Sequence, residues 1–165
     1  MATLINSVTQ LKKILETKIQ QALILTQEEI YSVIQKHIED YYEEEVFEVE
    51  KGVYSNIPFV YQRTNRFRFD SLIKTRVVQT GNSLSCTVQI DEDYLKYKYP
   101  GNPSWKGNVS ATGADVVSWA NQGLHGDTVS GGENFWDEAL DELGGKQGIL
   151  NLMKKNLKKV GVPIA

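Results

Sequence analysis

Apolar residues recur at helical spacing along the N-terminal part of the chain. They lie three or four positions apart, which places them on one face of an α-helix with about 3.6 residues per turn. The residues on this face are Leu4, Val8, Leu11, Leu15, Ile19 and Ala22. Thr26 and Glu29 then match a capping box, in which each side chain accepts a bond from the amide of the other residue. We therefore predict two helices, the second beginning at Thr26.

The predicted second helix has an apolar face that includes a histidine. This face comprises Ile30, Val33, Ile34, His37, Ile38 and Tyr41. A lone histidine on such a face is usually packed and hydrogen-bonded. We therefore interpret His37 as a packed residue rather than as a metal ligand or a catalytic base.

An alternating pattern in the middle of the chain predicts a β-hairpin. It is clearest over Leu84–Ile90, where apolar and polar residues alternate as in a half-buried strand. Ser71–Gln79 alternates less regularly, and Thr80–Ser83 joins the two runs with residues that tolerate positive φ. Cys86 is expected to be a small packed residue, because its neighbours offer no base or positive charge to form a thiolate.

Short regular elements and glycine-rich segments alternate in the second half of the chain. We predict a short strand around Leu95–Tyr99 and loops at Pro100–Gly113 and Gly126–Gly132. Asp115 is expected to cap a short helix that runs through Trp119.

Two further helices are predicted toward the C-terminus. Asn134 is suited to cap the first helix, which Gly144 and Gly145 end. The second helix is amphipathic, and Gly161 and Pro163 end it. Its apolar face comprises Ile149, Leu152, Met153, Leu157 and Val160, and its other face carries Lys154, Lys155, Lys158 and Lys159. These cations also suit the negative end of the helix dipole.

These patterns predict an α+β fold, with N-terminal helices and a C-terminal amphipathic helix packed on a small antiparallel β-sheet. A chain of 165 residues is most simply one domain. We divide it into a helical N-terminal part (1–48), a part with the sheet and loops (53–113) and a helical C-terminal part (114–165).

The charges are unevenly distributed, although the formal net charge is only −3. Glu39–Glu50 contains seven acidic and no basic residues, and Lys146–Lys159 contains five lysines and no acidic residue. These segments are either solvated faces or complementary patches of a head-to-tail contact between copies, which closes into a ring if the rotation permits. The small net charge argues against a global attraction to nucleic acid or to an anionic membrane.

Residues that commonly carry catalysis or bind metals are sparse. One cysteine and two histidines give no recognisable metal-ligand set and no intrachain disulfide. Neither common glycine-rich phosphate-binding motif is found, and His125-Gly126-Asp127 has no accompanying nucleophile. We therefore predict no enzymatic activity, no cofactor and no metal. Without a secretory signal or a run of about 20 apolar residues, we expect an intracellular protein that does not enter membranes.

Three segments form an ordered set. Tyr61-x-Arg63-Thr64-Asn65-Arg66-Phe67, followed by Asp70-Ser71-Leu72, is similar to the pattern Y-x-R-T-G-x-L…S, with Asn65 where glycine is common. Val117–Gly126 (VSWANQGLHG) is similar to a hydrophobic residue followed by N-x-G-x-H-G, and Leu157–Val162 is similar to a terminal helix and short last strand. Together they resemble the neck, head–tail joining and tail-completion proteins of tailed bacteriophages.

The resemblance implies an α+β subunit that assembles, in the host cytoplasm, into a six- or twelve-fold ring at the head–tail junction of the virion. It implies connector and tail proteins as neighbours, DNA that passes through the lumen without sequence-specific binding, and no catalytic residues. The expected subunit-interface residues are Arg63, Thr64, Arg66, Glu43, Glu44, Glu45, Lys154, Lys155, Lys158 and Lys159. The positions expected to be structural are Tyr61, Trp119, Asn121, Gly123, His125, Gly126 and Trp136.

Other interpretations of the same residues stay open. Arg63 and Thr64 can cap and orient a turn, and the aromatic residues can be core anchors. A tail terminator or a portal adaptor is a related alternative that also forms a ring. In a different class, an accessory nucleic-acid-binding protein would place Arg63, Arg66, Arg68 and the C-terminal lysines on phosphate groups.

Overall fold

The structure is a computed structural model that describes residues 7–41, 71–95, 97–99, 109–121, 124–125, 128–129 and 134–164. The helices in these ranges are α1 (Val8–Tyr41), α2 (Glu92–Leu95), α3 (Gly113–Asn121), α4 (Phe135–Glu142) and α5 (Gly145–Lys159). The strands are β1 (Leu72–Lys74), β2 (Val78–Thr80), β3 (Ser83–Ser85), β4 (Val88–Ile90), β5 (Tyr97–Tyr99), β6 (Val109–Ala111), β7 (Leu124–His125) and β8 (Thr128–Val129). Helices dominate and the strands form small antiparallel pairs, so the fold class is α+β, as predicted.

The chain forms two compact units. Unit 1 comprises Met1–Ser32, Lys74–Val88 and Glu142–Ala165, and unit 2 comprises Val33–Ile73 and Gln89–Asp141. Each unit therefore combines part of α1 with segments that lie far from it in the sequence. The single domain with the three sequential parts described above stays a prediction.

One continuous helix, α1, replaces the two N-terminal helices expected from the sequence. Ser7 caps it, because the Ser7 hydroxyl accepts from the Gln10 amide (3.2 Å). No break occurs at Thr26, whose hydroxyl donates to the Ala22 carbonyl one turn earlier (2.8 Å). The Glu29 side chain binds residues of α5 instead of the Thr26 amide. The predicted capping box is therefore wrong.

The apolar face of α1 is uncovered at its N-terminal end. Val8 is 84% exposed and Leu11 is 41% exposed. Leu15 and Ile19, further along the same face, are half-buried, and Ala22 is buried. The first turns of α1 therefore bury little apolar surface within the described part of the chain.

The predicted hairpin is confirmed. β2 and β3 pair in the antiparallel register Thr80↔Ser83, and Gly81-Asn82 forms the turn between them. Gly81 has φ +60°, whereas no described residue other than glycine has positive φ. A positive φ followed by a negative one is the pattern of a type II′ turn, whose twist matches that of the flanking strands.

A β-bulge divides the hairpin between its two strand pairs. The Thr75 amide donates to the Thr87 carbonyl (3.0 Å), and the next aligned pair is Val78 with Ser85. Two residues of one strand therefore lie opposite a single residue of the other. The residues at the bulge are Arg76 and Val77 on the first strand and Cys86 on the second.

A glutamine side chain from α1 binds beside the bulge. Gln27 is only 6% exposed, and its Nε2 donates to the carbonyls of Thr75 (2.9 Å) and Thr87 (2.7 Å). The Thr87 amide donates to the Thr75 hydroxyl (2.8 Å) rather than to the Thr75 carbonyl. The Thr75 carbonyl is therefore free to accept from Gln27. One side chain thus supplies donors where the strand ladder is interrupted, and it joins α1 to the hairpin.

Other contacts between α1 and the hairpin lie near the Gln27 bonds. Lys74 forms an ion pair with Glu28 (2.6 Å), and its Nζ lies 4.3 Å from the centre of the Tyr31 ring. The Cys86 sulfur lies 3.9 Å from the Leu23 carbonyl oxygen. Burial raises the pKa of the Cys86 thiol, which keeps it neutral at pH 7 and agrees with the predicted packing role.

Two predicted loops contain strands. β5 pairs with β6 in the register Tyr97↔Ala111, and β7 pairs with β8 in the register Leu124↔Val129. Val109–Ala111 and Thr128–Val129 were expected in loops and instead pair with preceding strands. The other residues expected in these loops lie outside the described residues, apart from Thr112 and Gly113.

A capping box begins α3. The Thr112 hydroxyl accepts from the Asp115 amide (3.2 Å), and Asp115 Oδ2 accepts from the Thr112 hydroxyl (2.7 Å) and amide (2.9 Å). These bonds, from the hydroxyl first, lower the pKa of Asp115. Thr112 is therefore the N-cap. The prediction that Asp115 caps the helix is wrong, because Asp115 lies three positions inside and binds back to the cap.

The glycines predicted to end the last two helices lie where expected. α4 ends at Glu142, and Gly144 and Gly145, which were predicted to end it, have φ values of +72° and +57°. At the end of α5, Gly161 has φ +76°, its amide donates to the Lys158 carbonyl (2.9 Å), and the amide of the next residue donates to the Leu157 carbonyl (2.9 Å). These two bonds form a Schellman motif, which satisfies the last carbonyls of the helix.

The described residues of the two units differ in what they bury. Unit 2 buries large apolar side chains, and unit 1 buries mostly polar ones. The buried apolar residues of unit 2 are Ile34, Ile38, Leu72, Leu95, Phe135 and Ala139, whereas unit 1 buries Ala22, Thr26, Gln27 and Asn156. Hydrogen bonds between specific polar side chains therefore determine much of how the elements of unit 1 pack.

We expect Gln27→Leu to lower the free energy of unfolding by about 2–3 kcal/mol, because it removes two hydrogen bonds from a buried site and leaves the Thr75 carbonyl without this donor. Urea unfolding followed by circular dichroism measures this change. The matched control is Gln21→Leu on the exposed face of α1, which should stay within about 0.5 kcal/mol of wild type. Equal stability of the two variants would contradict the role assigned to Gln27.

Candidate functional site

A polar cluster joins α1 to α5. Asn156 is fully buried, and its Nδ2 donates to Thr26 Oγ1 (3.1 Å) and to Glu29 Oε1 (3.0 Å). The second carboxylate oxygen of Glu29 accepts from Lys155 Nζ (3.0 Å). Thr26 Oγ1 also lies 3.5 Å from the Met153 sulfur. Four polar side chains thus fix how the two helices lie against each other, because their bonds require one particular alignment.

The environment of Glu29 favours its charged form. The hydrogen bond from Asn156 and then that from Lys155 lower the pKa of Glu29 below its ordinary value of 4.5. The unfolded chain therefore binds a proton at higher pH than the folded chain does. The resulting contribution to stability is present above pH 4.5 and is lost as the pH falls through the folded-state pKa.

The predicted interface lysines lie on the exposed face of α5. Lys155 forms an ion pair with Glu29 of its own chain, and Lys159 lies within electrostatic reach of the same carboxylate. Lys154 and Lys158 are exposed, and neither has an acidic partner within the described part of the chain. Their contribution to a subunit contact stays a prediction.

The other predicted site residues, apart from Asn121 and Trp136, either have only their backbone described or lie outside the described residues. Trp119 lies in α3 and His125 lies in β7, and only their backbone positions are described. The following lie outside the described residues: Glu43, Glu44, Glu45, Tyr61, Arg63, Thr64, Arg66, Arg68, Gly123 and Gly126.

Asn121 positions the start of α4. Its Oδ1 accepts from the Trp136 amide (3.1 Å), which belongs to the first turn of the helix and would otherwise lack an intrahelical acceptor. Asn134 precedes the helix, and its carbonyl accepts from the Glu138 amide (2.9 Å), as expected of the predicted N-cap. The geometry therefore gives the motif residue Asn121 a structural role.

His37 is a packed residue, as predicted. Its side chain is 15% exposed, and its Nδ1 lies 3.7 Å from Glu138 Oε2. Within the described ranges no group of three or more His, Cys, Asp or Glu side chains is arranged to hold a metal ion. In the same ranges no helix has both the length and the apolar content needed to cross a membrane.

Gln27 and Asn156 were missed by the sequence analysis. Both are polar residues inside helices, and such residues are usually placed on the solvated face. A signal for Asn156 exists, because it lies four positions after Leu152 and three after Met153, within the predicted apolar face. Gln27 carries no comparable signal, because its partners are backbone carbonyls of a distant hairpin.

Opposite charges are segregated between the two units. The described residues of unit 1 include ten Lys or Arg and four Asp or Glu, a formal net charge of +6. Those of unit 2 include two Lys or Arg and nine Asp or Glu, a formal net charge of −7. The small charge of the whole chain therefore hides one basic and one acidic unit, and each generates a field of its own sign.

The described part of the chain thus has an α+β fold, in which buried polar side chains join α1 to the hairpin and to α5. A family model described as YomN matches residues 7–159, and the chain belongs to this family. YomN is a name of the kind given to proteins of Bacillus phages, and it indicates a phage-associated protein. No curated protein matches the chain, and no solved structure matches it.

We expect Asn156→Asp to destabilise the protein by about 3 kcal/mol at pH 7, because it places a buried carboxylate next to the partly exposed carboxylate of Glu29. Acidification should reduce this loss, since protonation removes the buried charge. Thermal unfolding at several pH values measures both effects. Asn151→Asp, on the exposed face of α5, is the matched control and should change little. A similar small effect at both positions would show that the cluster does not align the helices.

Glu29→Gln should remove part of the dependence of stability on acid. At pH 7 the variant should be less stable than wild type by under about 1 kcal/mol, because Glu29 is partly exposed and solvent screens its charge. The difference should disappear as the pH falls through the lowered pKa of Glu29. Urea unfolding at a series of pH values tests this, and a difference that grows with acid would contradict it.

Proposed function

We propose that this chain is a structural virion protein of a tailed phage. In this proposal it is a ring-forming neck or tail-completion subunit at the head–tail junction. The observation that carries the proposal is the match of residues 7–159 to a family with a phage-type name. That range contains the first two of the three segments that resemble neck and tail-completion proteins.

The distribution of polar residues supports a role in assembly. Gln27 and Asn156 use their hydrogen bonds to hold α1 to the hairpin and to α5. Exposed Val8 and Leu11 on α1 and the exposed lysines of α5 remain for contacts with other molecules. A ring subunit requires this combination of a fixed scaffold and exposed contact residues.

The charge segregation supports a ring rather than a random association. A ring forms from head-to-tail contacts, in which each copy presents two different surfaces to its two neighbours. A basic unit and an acidic unit would provide two such surfaces, one of each charge. The ring would have six or twelve copies, and its neighbours would be connector and tail proteins, with DNA passing through the lumen.

Two alternatives lead to different expectations. A tail terminator or portal adaptor would also form a ring but would occupy a neighbouring position in the particle. A nucleic-acid-binding accessory protein would use the exposed lysines on phosphate groups, so the free protein would bind DNA with an affinity that falls steeply with salt. The acidic unit opposes that function, because it repels the DNA backbone.

We expect loss of this protein to block the joining of heads to tails. Deletion of its gene from the phage or prophage that carries it should leave DNA-filled heads and separate tails, which electron microscopy distinguishes. A wild-type copy supplied in trans should restore joined, infectious particles. Normal yields of joined particles without the protein would contradict the proposed function. Unchanged particles, together with tight salt-sensitive DNA binding by the free protein, would favour the accessory function.

A further inference from the structure

One line of exposed residues runs along α5. Leu150, Lys154 and Lys158 are four positions apart, so they lie on one side of the helix and rise about 6 Å from one to the next. Leu150 is 46% exposed, and both lysines are exposed. We call this set the lysine ridge. Neither lysine has an acidic partner within the described part of the chain, whereas the adjacent Lys155 is paired with Glu29.

A matching line of carboxylates lies on α4. Asp137 and Asp141 are also four positions apart and are exposed, so they are separated by the same rise of about 6 Å. We call this pair the aspartate ridge. No hydrogen bond or ion pair involves either side chain in the described ranges, whereas Glu138, on the same helix, lies against His37.

We propose that the lysine ridge of one copy docks on the aspartate ridge of a second copy of this chain. The equal spacing allows each lysine to meet one aspartate, and Leu150 adds an apolar contact beside the charged pairs. The lysine ridge belongs to the basic unit and the aspartate ridge to the acidic unit. The attraction between opposite units therefore favours the same pairing at longer range, and it disfavours contacts between like units.

This contact rests on the proposed function for the ring in which it operates. The charges favour a second copy over DNA as the partner, because every copy carries the complementary ridge and the whole chain is net negative. Exposed ion pairs add little affinity each, so the ridges set register and rate of association more than they set total binding.

The test uses two charge-reversed forms of the full chain. Lys154→Glu with Lys158→Glu reverses the lysine ridge, and Asp137→Lys with Asp141→Lys reverses the aspartate ridge. Each form alone should self-associate about tenfold more weakly than wild type in low salt, because like charges then meet. An equimolar mixture should regain assembly, since each reversed ridge finds its complement on the other form. Sedimentation velocity measures all three.

Two controls make the result specific. Lys13→Glu with Arg76→Glu, at two exposed positions on α1 and the hairpin, changes the net charge as much as the lysine-ridge reversal does and should weaken association less. In about 1 M salt, where the screening length is about 3 Å, the differences between the forms should shrink. A reversed form that fails to fold is replaced by Lys→Gln or Asp→Asn at the same positions, for which a smaller loss is expected.

Several outcomes would overturn the proposal. These are normal association of either reversed form, a mixture that stays dissociated, a wild-type protein that is monomeric at every concentration, and lysine reversals that weaken only DNA binding. Failure of the proposed function is distinguishable from failure of the ridge contact. If the mixture of reversed forms assembles but phage particles join normally without the protein, the proposed function is rejected and the ridge contact is not. If joined particles need the protein but tolerate both reversals, the ridge contact is rejected and the proposed function is not.

Discussion

The two bonds from Gln27 Nε2 to the carbonyls of Thr75 and Thr87 are the interaction on which unit 1 most depends. They lie where a bulge interrupts the hairpin, so they satisfy backbone groups at the point where the ladder changes register. A slip of the hairpin by one residue would move both carbonyls away from the buried amide and leave it without acceptors. Among the described residues of unit 1, Ala22 is the one buried apolar residue. Unit 1 therefore has no large apolar core there that could hold the hairpin in place without the Gln27 bonds.

The same principle governs the packing of α5. Asn156 is buried on the apolar face of α5, a position where an apolar residue would be expected. Its side chain binds Thr26 and Glu29 of α1. The Asn156 Nδ2 group has two acceptors in this alignment and would lose them in others, and this is how a buried polar group adds specificity, even though Asn156 Oδ1 is buried without a hydrogen-bond partner among the described residues. On our account, α1 is a long scaffold, about 50 Å if straight, that fixes the hairpin and α5 by polar bonds. The exposed lysines of α5 are therefore held in a defined line, as the proposed contact between copies requires.

Patterns that are local in the sequence predicted the fold well. Alternation, a Gly-Asn turn and the terminal glycine of α5 each determine backbone geometry over a few residues, and the hairpin and last helix follow them. The failed prediction at Thr26 is instructive, because the same chemistry does form a capping box at Thr112 and Asp115. Tertiary contacts decided between the two positions: α5 binds Glu29, and the helix continues through Thr26.

The candidate site was less predictable for a related reason. Helical spacing alone placed the lysines of α5 on the exposed face, and that placement is confirmed. The buried roles of Gln27 and Asn156 depend on partners far away in the chain, which periodicity does not reveal. Charge segregation between units is also hidden in the sequence, because each unit is assembled from separate segments. Glu43–Glu50 of the acidic segment Glu39–Glu50 and the motif at Arg63 lie outside the described residues, and their predicted roles stay predictions.

The central claim is that copies of this chain form a ring at the junction between phage head and tail. A cryo-electron microscopy reconstruction of purified particles tests it most directly, with the protein identified by a fused tag and by mass spectrometry of the same sample. Our account predicts six or twelve copies in one ring at the junction, with the basic unit of each copy facing the acidic unit of the next. Joined particles that lack the protein, or that carry it elsewhere, would contradict the account.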